Sequence, residues 1–453
     1  MSYSVSENSV ITSVFTPNSN NSFLTCGGTN IAPKAGETWA NFQVTPTGGS
    51  TTNFKYIFNC NLYVSGKTEP TICGLQTATP DPNTIKQFLY DNGIIEYVCG
   101  QFSFSGTPTT ATNIMYFNPV ANTTTTGYST FNNLSNIAFA GGTTAVNCMA
   151  FLNLETNQDA DNTTKLVIAG TFTQATISSV NSFANIALLN VSTAPSWTIN
   201  NSIISDATIN SASTIINSII VINNVIYVGG VNGINCIFYS YNTISNTWTN
   251  LLASATYTGG SINILKRADN YIAIGGSFSS LGTALNCNNI VLYTISNGSW
   301  TALGTGVTKG VTVIPSNANY PSLQVFALDY LKSRTELWVG GYFTNAGDEL
   351  VNSLAMYNIS NSSWNVIVRN GDNGSPTTKG LLNFNTGTDP GVVYSLNINA
   401  IDTSVIMVGG SFRTSTTSVA LTFSQNIYNL VKITTATTNG TKRNYTKFNS
   451  KSQ

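Results

Sequence analysis

The chain has 453 residues, of which only 8% are charged, and its 18 basic and 18 acidic side chains give a formal net charge of zero. Histidine is absent, which excludes His-based nucleophile pairs and His-ligated metal centres. The 42% apolar and 11% aromatic content excludes an intrinsically disordered chain, because disorder combines few aromatic residues with high net charge. Basic residues this sparse also argue against a nucleic-acid partner, which needs clustered Lys and Arg.

The N-terminal residues carry no targeting signal. Met1 to Asn8 has neither a basic region nor an apolar run, and no segment reaches the roughly 18 consecutive apolar residues of a membrane span. We therefore expect no signal peptide and no membrane span.

An apolar, β-rich run that ends in glycine recurs along the whole chain. The marker glycines lie 46 to 72 residues apart. They are Gly28, Gly100, Gly170, Gly230, Gly276, Gly341 and Gly410. Five copies carry a phenylalanine two residues later, namely Phe102, Phe172, Phe278, Phe343 and Phe412. This period predicts one four-stranded antiparallel unit per copy, in which paired glycines permit a positive φ or a β-bulge and the phenylalanine fills space between neighbouring sheets.

A tyrosine and a tryptophan follow the glycine run in three copies. The pairs are Tyr241/Trp248, Tyr293/Trp300 and Tyr357/Trp364, with Asn, Ser and Gly turn residues between the two aromatics. This spacing predicts a hairpin whose Trp is largely buried against the adjacent unit. Because no helical period of 3.6 persists along the chain, the predicted class is all-β.

Together these residues resemble the kelch-type β-propeller repeat, and in particular its delta-60 variant of Rax2-type proteins. Asn185-Ile-Ala187, Asn289-Ile290 and Ser353-Leu-Ala355 stand where that variant has Asn-Ile-Ala. The resemblance covers residues 90 to 435. It implies a single propeller of seven four-stranded blades, with six or eight as alternatives. Residues 1–90 are then one or more divergent N-terminal blades, 91–438 the regular kelch-like blades, and 439–453 a basic C-terminal tail.

Few residues suggest site chemistry. Asp159 and Asp161 place oxygen ligands at alternate positions, as calcium loops do, but the glycine and distant glutamate of an EF-hand are missing, so a solvated polar loop is the preferred interpretation. The seven cysteines are scattered, which favours buried small side chains over a zinc or redox site. No cofactor is expected.

The C-terminal residues form the second candidate. No acid follows Asp402, so the last residues are basic and include the possible docking residues Lys442, Arg443, Lys447 and Lys451. A charge asymmetry of this kind marks either a docking tail or a solvated end. If the tail supplied a blade strand instead, its deletion would prevent folding.

Three functions fit these features. The leading hypothesis is a non-enzymatic structural or interaction propeller within a large assembly, such as a virion, where it would be capsid-associated, or a surface layer. Its partners would be other proteins of that assembly. The alternative is a surface module that binds a glycan or another ligand through exposed aromatics and amides. The third is a glycoside hydrolase that uses paired carboxylates.

Overall fold

A computed structural model of the chain shows β-strands joined by turns. The described residues are 84–91, 95–105, 110–117, 132–133, 137–140, 144–152, 164–177, 180–182, 185–191, 197–200, 203, 206–252, 259–284, 286–304, 309–312, 324–366, 381–382, 391–398, 405–414, 428–434 and 444–446, with strand residues 16–17, 24–26, 29–30, 42–44 and 52–54. Within these ranges the only helical element is one 3-10 turn, Lys332–Arg334, and none of them forms an apolar helix long enough to cross a bilayer. The predicted all-β class is confirmed.

The chain forms two compact units, residues 1–212 with 449–453 and residues 213–448. The first unit contains two complete four-stranded antiparallel sheets. Sheet 1 comprises β6 (Thr84–Asp91), β7 (Ile95–Ser105), β8 (Thr110–Phe117) and β9 (Asn132–Asn133). Sheet 2 comprises β11 (Ala145–Leu152), β12 (Thr164–Thr171), β15 (Ile186–Val191) and β16 (Trp197–Asn200). Smaller sheets are β1 (Thr16–Pro17) with β2 (Leu24–Cys26) and β3 (Thr29–Asn30); β4 (Phe42–Val44) with β5 (Thr52–Phe54); and β10 (Ile137–Ala140) with β13 (Gln174–Ile177) and β14 (Val180–Ser182).

The second unit contains four complete sheets. Sheet 3 comprises β17 (Thr214–Ile222), β18 (Val225–Asn232), β19 (Asn235–Asn242) and β20 (Thr247–Asn250). Sheet 4 comprises β21 (Ser261–Ala268), β22 (Tyr271–Ser277), β23 (Ile290–Thr294) and β24 (Trp300–Ala302). Sheet 5 comprises β26 (Gln324–Leu331), β27 (Glu336–Tyr342), β30 (Leu354–Asn358) and β31 (Ser363–Val366). Sheet 6 comprises β33 (Val392–Ile398), β34 (Val405–Thr414), β35 (Tyr428–Thr434) and β36 (Asn444–Thr446), with β32 (Leu381–Leu382) also paired to β34. A small sheet joins β25 (Val311–Thr312), β28 (Asn345–Ala346) and β29 (Glu349–Leu350).

The first strand of every complete sheet has a β-bulge at the same place. One extra residue there disrupts the register against the second strand, directly opposite the marker glycine and the residue before it. These bulge residues are Lys86, Asn147, Asn217, Asn263, Phe326 and Tyr394 in sheets 1 to 6. The six sheets are therefore built on one backbone plan.

The bulge explains the marker glycine. A Cβ added at this glycine would lie 2.0–2.1 Å from the carbonyl oxygen of the residue two positions before the bulge residue. The same clash occurs at Gly170, Gly230, Gly276, Gly341 and Gly410. None of these five glycines has a positive φ, so of the two reasons expected from the sequence, close approach at a bulge applies and a left-handed backbone does not.

The preceding glycine makes room for the next sheet of the second unit. A Cβ at Gly275 of sheet 4 would lie 2.5 Å from Val325 Cγ1 of sheet 5, and one at Gly340 of sheet 5 would lie 2.4 Å from Val393 Cγ1 of sheet 6. The apolar cores accordingly lie between successive sheets, where Phe343 and Trp338 are fully buried. Sheets 3 to 6 pack in chain order.

One predicted boundary falls inside a strand, and the predicted tail contains another strand. The boundary at residue 90 lies within β6, so the first complete sheet begins at Thr84 rather than at residue 91. Within the predicted tail 439–453, Asn444–Thr446 is the outer strand of sheet 6 and pairs with β35. Lys442, Arg443, Lys447 and Lys451 lie outside the described residues, as do Gly28, Asp159 and Asp161.

Candidate binding surface

The repeat residues are linked by the same backbone hydrogen bonds in three sheets. The marker glycine N–H donates to the carbonyl of the residue before the third strand, and the N–H of that residue donates to the carbonyl of the repeat phenylalanine. The triplets are Gly170/Asn185/Phe172, Gly276/Asn289/Phe278 and Gly341/Ser353/Phe343, with N to O distances of 2.7 to 3.0 Å. Phe172, Phe278 and Phe343 are buried, whereas the side chains of Phe102 and Phe412 lie outside the described part.

The side chain of the residue before the third strand also reaches a segment that follows its own sheet in the chain: β25 of the small sheet for Asn289, and the residue before β33 of sheet 6 for Ser353. Asn289 has φ +70° and donates from Nδ2 to the Val311 carbonyl at 2.9 Å, and Ser353 has φ +64° and donates to the Gly391 carbonyl at 2.5 Å. Asn is tolerated in this left-handed conformation because its short side chain bonds locally. The Asn-Ile-Ala pattern therefore marks a junction between sheets.

The three Tyr/Trp pairs occupy directly opposed positions on the third and fourth strands. Tyr241, Tyr293 and Tyr357 pair in register with Trp248, Trp300 and Trp364, and their ring centroids lie 4.9, 5.0 and 5.1 Å apart. The three indoles are largely buried, as predicted, and none of them is completely shielded from solvent.

Replacing Trp300 with alanine should lower the free energy of unfolding by about 2–3 kcal/mol, less than a fully buried Trp would cost. Its ring centroid lies 5.8 Å from that of Phe238 in sheet 3, and its indole packs over Gly282. Urea unfolding followed by circular dichroism measures the loss. Trp300→Phe keeps an aromatic ring beside Phe238, so its free energy of unfolding should fall by less than half as much. Equal losses in the two variants would show that the contact with Phe238 is unimportant.

The bulge residues of the second unit form a row that sequence reasoning missed. The bulge row is Asn217, Asn263, Phe326 and Tyr394, one from each of sheets 3 to 6. Asn217 Nδ2 donates to Ser261 Oγ at 3.0 Å and to the Ile262 carbonyl at 2.9 Å. In the next sheet, Asn263 Nδ2 donates to the equivalent groups, Gln324 Oε1 at 3.0 Å and the Val325 carbonyl at 3.1 Å.

The row continues with an aromatic pair. Phe326 and Tyr394 have ring centroids 5.3 Å apart at an interplanar angle of 53°. Tyr394 is 55% exposed and Phe326 is half-buried. Two amides and two aromatic rings thus stand side by side on successive first strands, and none carries a charge.

A buried carboxylate lies three residues beyond Phe326 on the same strand. Asp329 Oδ1 pairs with Lys266 Nζ of sheet 4 at 2.6 Å, and Oδ2 accepts the Ile398 N–H of sheet 6 at 2.6 Å. The Tyr330 N–H donates to Oδ1 at 2.9 Å. One carboxylate therefore joins three sheets. Beside it, burial and the hydrogen bond and negative charge of Asp269 raise the pKa of the Tyr330 hydroxyl, which donates to Asp269 Oδ2.

Metal-binding groups do not cluster in the part of the chain that the structure describes: no three Cys, Asp or Glu side chains there could share an ion. Cys99, Cys148, Cys236 and Cys287 are buried. Burial raises the pKa of Cys236 to about 12 and that of Cys287 to about 11.

The thiol of Cys287 should resist alkylation in the folded protein. Raising its pKa from 9.0 to about 11 lowers the thiolate fraction at pH 8 about 100-fold, and the thiolate is the nucleophile. Iodoacetamide labelling at pH 8, read by peptide mass spectrometry, should be at least 100-fold slower in buffer than in guanidinium chloride. Rates within tenfold of each other would contradict the burial of this thiol.

No protein-family model matches the chain, and no curated protein sequence matches it significantly. Distant solved structures include a protein from Lactobacillus plantarum, at 12% identity and TM-score 0.40, covering 88% of this chain and 93% of that one. The GH74 xyloglucanase from Xanthomonas campestris has 11% identity and TM-score 0.41, covering 80% of this chain and 47% of the enzyme. The computationally designed Ika8 protein has 11% identity and TM-score 0.34, covering 78% and 81%. At these values neither fold nor function is transferred.

Proposed function

We propose that the chain is a single β-propeller and works as a non-enzymatic structural or interaction protein. The supporting observation is that six complete sheets share one strand order and one bulge, while sheets 3 to 6 pack in chain order. Antiparallel sheets repeated in this way are the blades of propellers. Seven blades is the preferred number, with six or eight as alternatives, because strands β2 and β3 flank the seventh marker, Gly28.

The proposal includes a kelch-like repeat of the delta-60 type. Its support is local: the glycine, the phenylalanine and the Asn or Ser before the third strand form one hydrogen-bonded unit in sheets 2, 4 and 5. A repeat that is held together this way can keep its backbone while its surface residues vary.

The proposed partners are other proteins of a large assembly, such as a virus particle or surface layer. Outer-strand residues Thr247, Thr249, Asn250 and Thr301 are exposed and uncharged. Neutral polar surfaces suit close contact between subunits, because few charges must be desolvated. The buried carboxylate Asp329 is engaged in holding sheets together.

Quantitative mass spectrometry of particles purified from the source tests this function. The chain should occur in a fixed ratio to the major particle protein, and the ratio should persist after a high-salt wash, since few charges contribute to contact. Recovery of the chain in the soluble fraction alone would contradict the proposal. Electron cryomicroscopy of the purified chain tests the propeller separately, by showing whether the sheets are arranged radially.

A further inference from the structure

The bulge row of the second unit combines groups that bind sugars. Aromatic faces pack against the apolar faces of sugar rings, and amide oxygens accept hydrogen bonds from hydroxyl groups. We propose that the bulge row, Asn217, Asn263, Phe326 and Tyr394, is a binding site for a neutral oligosaccharide. The proposal needs only the packing of sheets 3 to 6 and depends on neither ring closure nor assembly.

The aromatic end of the row is open. Tyr394 is 55% exposed, although it lies on the first strand of its sheet and the residue before it, Val393, is fully buried. Its ring packs against that of Phe326 at an interplanar angle of 53°, while more than half of the residue stays exposed. A ring held in this way loses little conformational freedom when a ligand stacks on it.

The amide end of the row has acceptors available. Both Asn217 and Asn263 use Nδ2 to bind the next sheet, which fixes the orientation of the side chain. Among the described residues, neither Oδ1 atom accepts a hydrogen bond, and both asparagines are half-buried. Oriented acceptors beside a stacking ring match a ligand that carries hydroxyl donors around an apolar ring face.

The charge of the surroundings indicates a neutral ligand. No bulge-row residue is charged, and Lys266 and Asp329, which lie three residues beyond Asn263 and Phe326 on the same strands, pair with each other at 2.6 Å. An anionic sugar would have to compete with Asp329 for Lys266, whereas a neutral sugar leaves this ion pair intact.

The test titrates the full chain with cellotetraose, maltotetraose, chitotetraose and mannotetraose by isothermal titration calorimetry. At least one should bind saturably with a millimolar or lower Kd. Tyr394→Ala should weaken that binding at least tenfold, and Tyr394→Phe, which keeps the ring, less than threefold. Ile244→Ala, at a 76% exposed residue of the hairpin between β19 and the outer strand β20, serves as the control and should leave the Kd unchanged.

Three outcomes would overturn the site: no binding of any tetrasaccharide at 10 mM, equal binding by Tyr394→Ala and the unchanged protein, or tighter binding of a sulfated tetrasaccharide. Tyr394→Ala should still enter particles in the normal ratio. The sugar site and the assembly role can therefore fail independently.

Discussion

Gly276→Ala is expected to destabilise the protein by about 4 kcal/mol or more, a loss that exceeds most single substitutions. The added Cβ would lie 2.0 Å from the Ser261 carbonyl oxygen and 3.0 Å from Ile262 Cα. Both are backbone atoms of a strand paired to the glycine strand, so relief requires breaking the bulge. Guanidinium chloride unfolding followed by tryptophan fluorescence measures the change.

The adjacent glycine provides a matched control. A Cβ at Gly275 would meet Val325 Cγ1 at 2.5 Å and Ile264 Cγ2 at 2.9 Å, which are ends of side chains that can adjust. Sheets 1 and 2 already hold Cys99 and Ala169 at this position. Gly275→Ala should therefore cost only about 1–3 kcal/mol, as other overpacked core positions do. Equal losses for the two variants would show that backbone approach at the bulge is not what requires the second glycine.

Asp329→Ala is expected to cost about 3 kcal/mol, chiefly because buried N–H groups lose their acceptor. The carboxylate accepts hydrogen bonds from the backbone N–H groups of Ile398 and Tyr330, and its side chain is only 9% exposed. The N–H of Ile398 belongs to the next sheet, so its loss weakens a junction. The free energy of urea unfolding gives the measured value.

Two further variants separate the ion pair from the hydrogen bonds. Lys266 is 41% exposed and regains water when its partner is removed, so Lys266→Ala should cost no more than about 1 kcal/mol. Asp329→Asn keeps one acceptor oxygen, so its loss of unfolding free energy should lie between those of Lys266→Ala and Asp329→Ala. A loss for Lys266→Ala as large as that for Asp329→Ala would mean that the ion pair, and not the backbone acceptors, stabilises this junction.

Local pattern was enough to predict the strands and, from the paired glycines, to allow for a bulge, but it did not show which residue of the partner strand is the extra one. The Tyr-to-Trp spacing predicts a hairpin register, and Tyr293 and Trp300 indeed pair directly. The bulge depends on how two strands pair, so alternation within one strand does not reveal it. The three tryptophans are largely buried, as the pattern predicts, although each lies on the outer strand of its sheet.

The sequence pattern does not identify the candidate binding residues, for a related reason. The bulge residue is asparagine in sheets 2 to 4 but lysine, phenylalanine or tyrosine in the others, so it adds little to the repeat that made the glycines detectable. Asp329 is similar, since its partner Ile398 lies 69 residues away in the chain. Only the fold brings such residues together. What the bulge residues share is their position opposite the marker glycine, and this position can be assigned only when the pairing register of the two strands is known.

Because each bulge fixes the backbone through its glycine and leaves one side chain to vary, this family of positions behaves as a display scaffold. The same backbone site already presents a cation in Lys86, amides in Asn147, Asn217 and Asn263, and aromatic rings in Phe326 and Tyr394. A library randomised at Phe326 and Tyr394 alone would therefore change the chemistry of the bulge row without touching the glycines, or the asparagine amides that bind the next sheet.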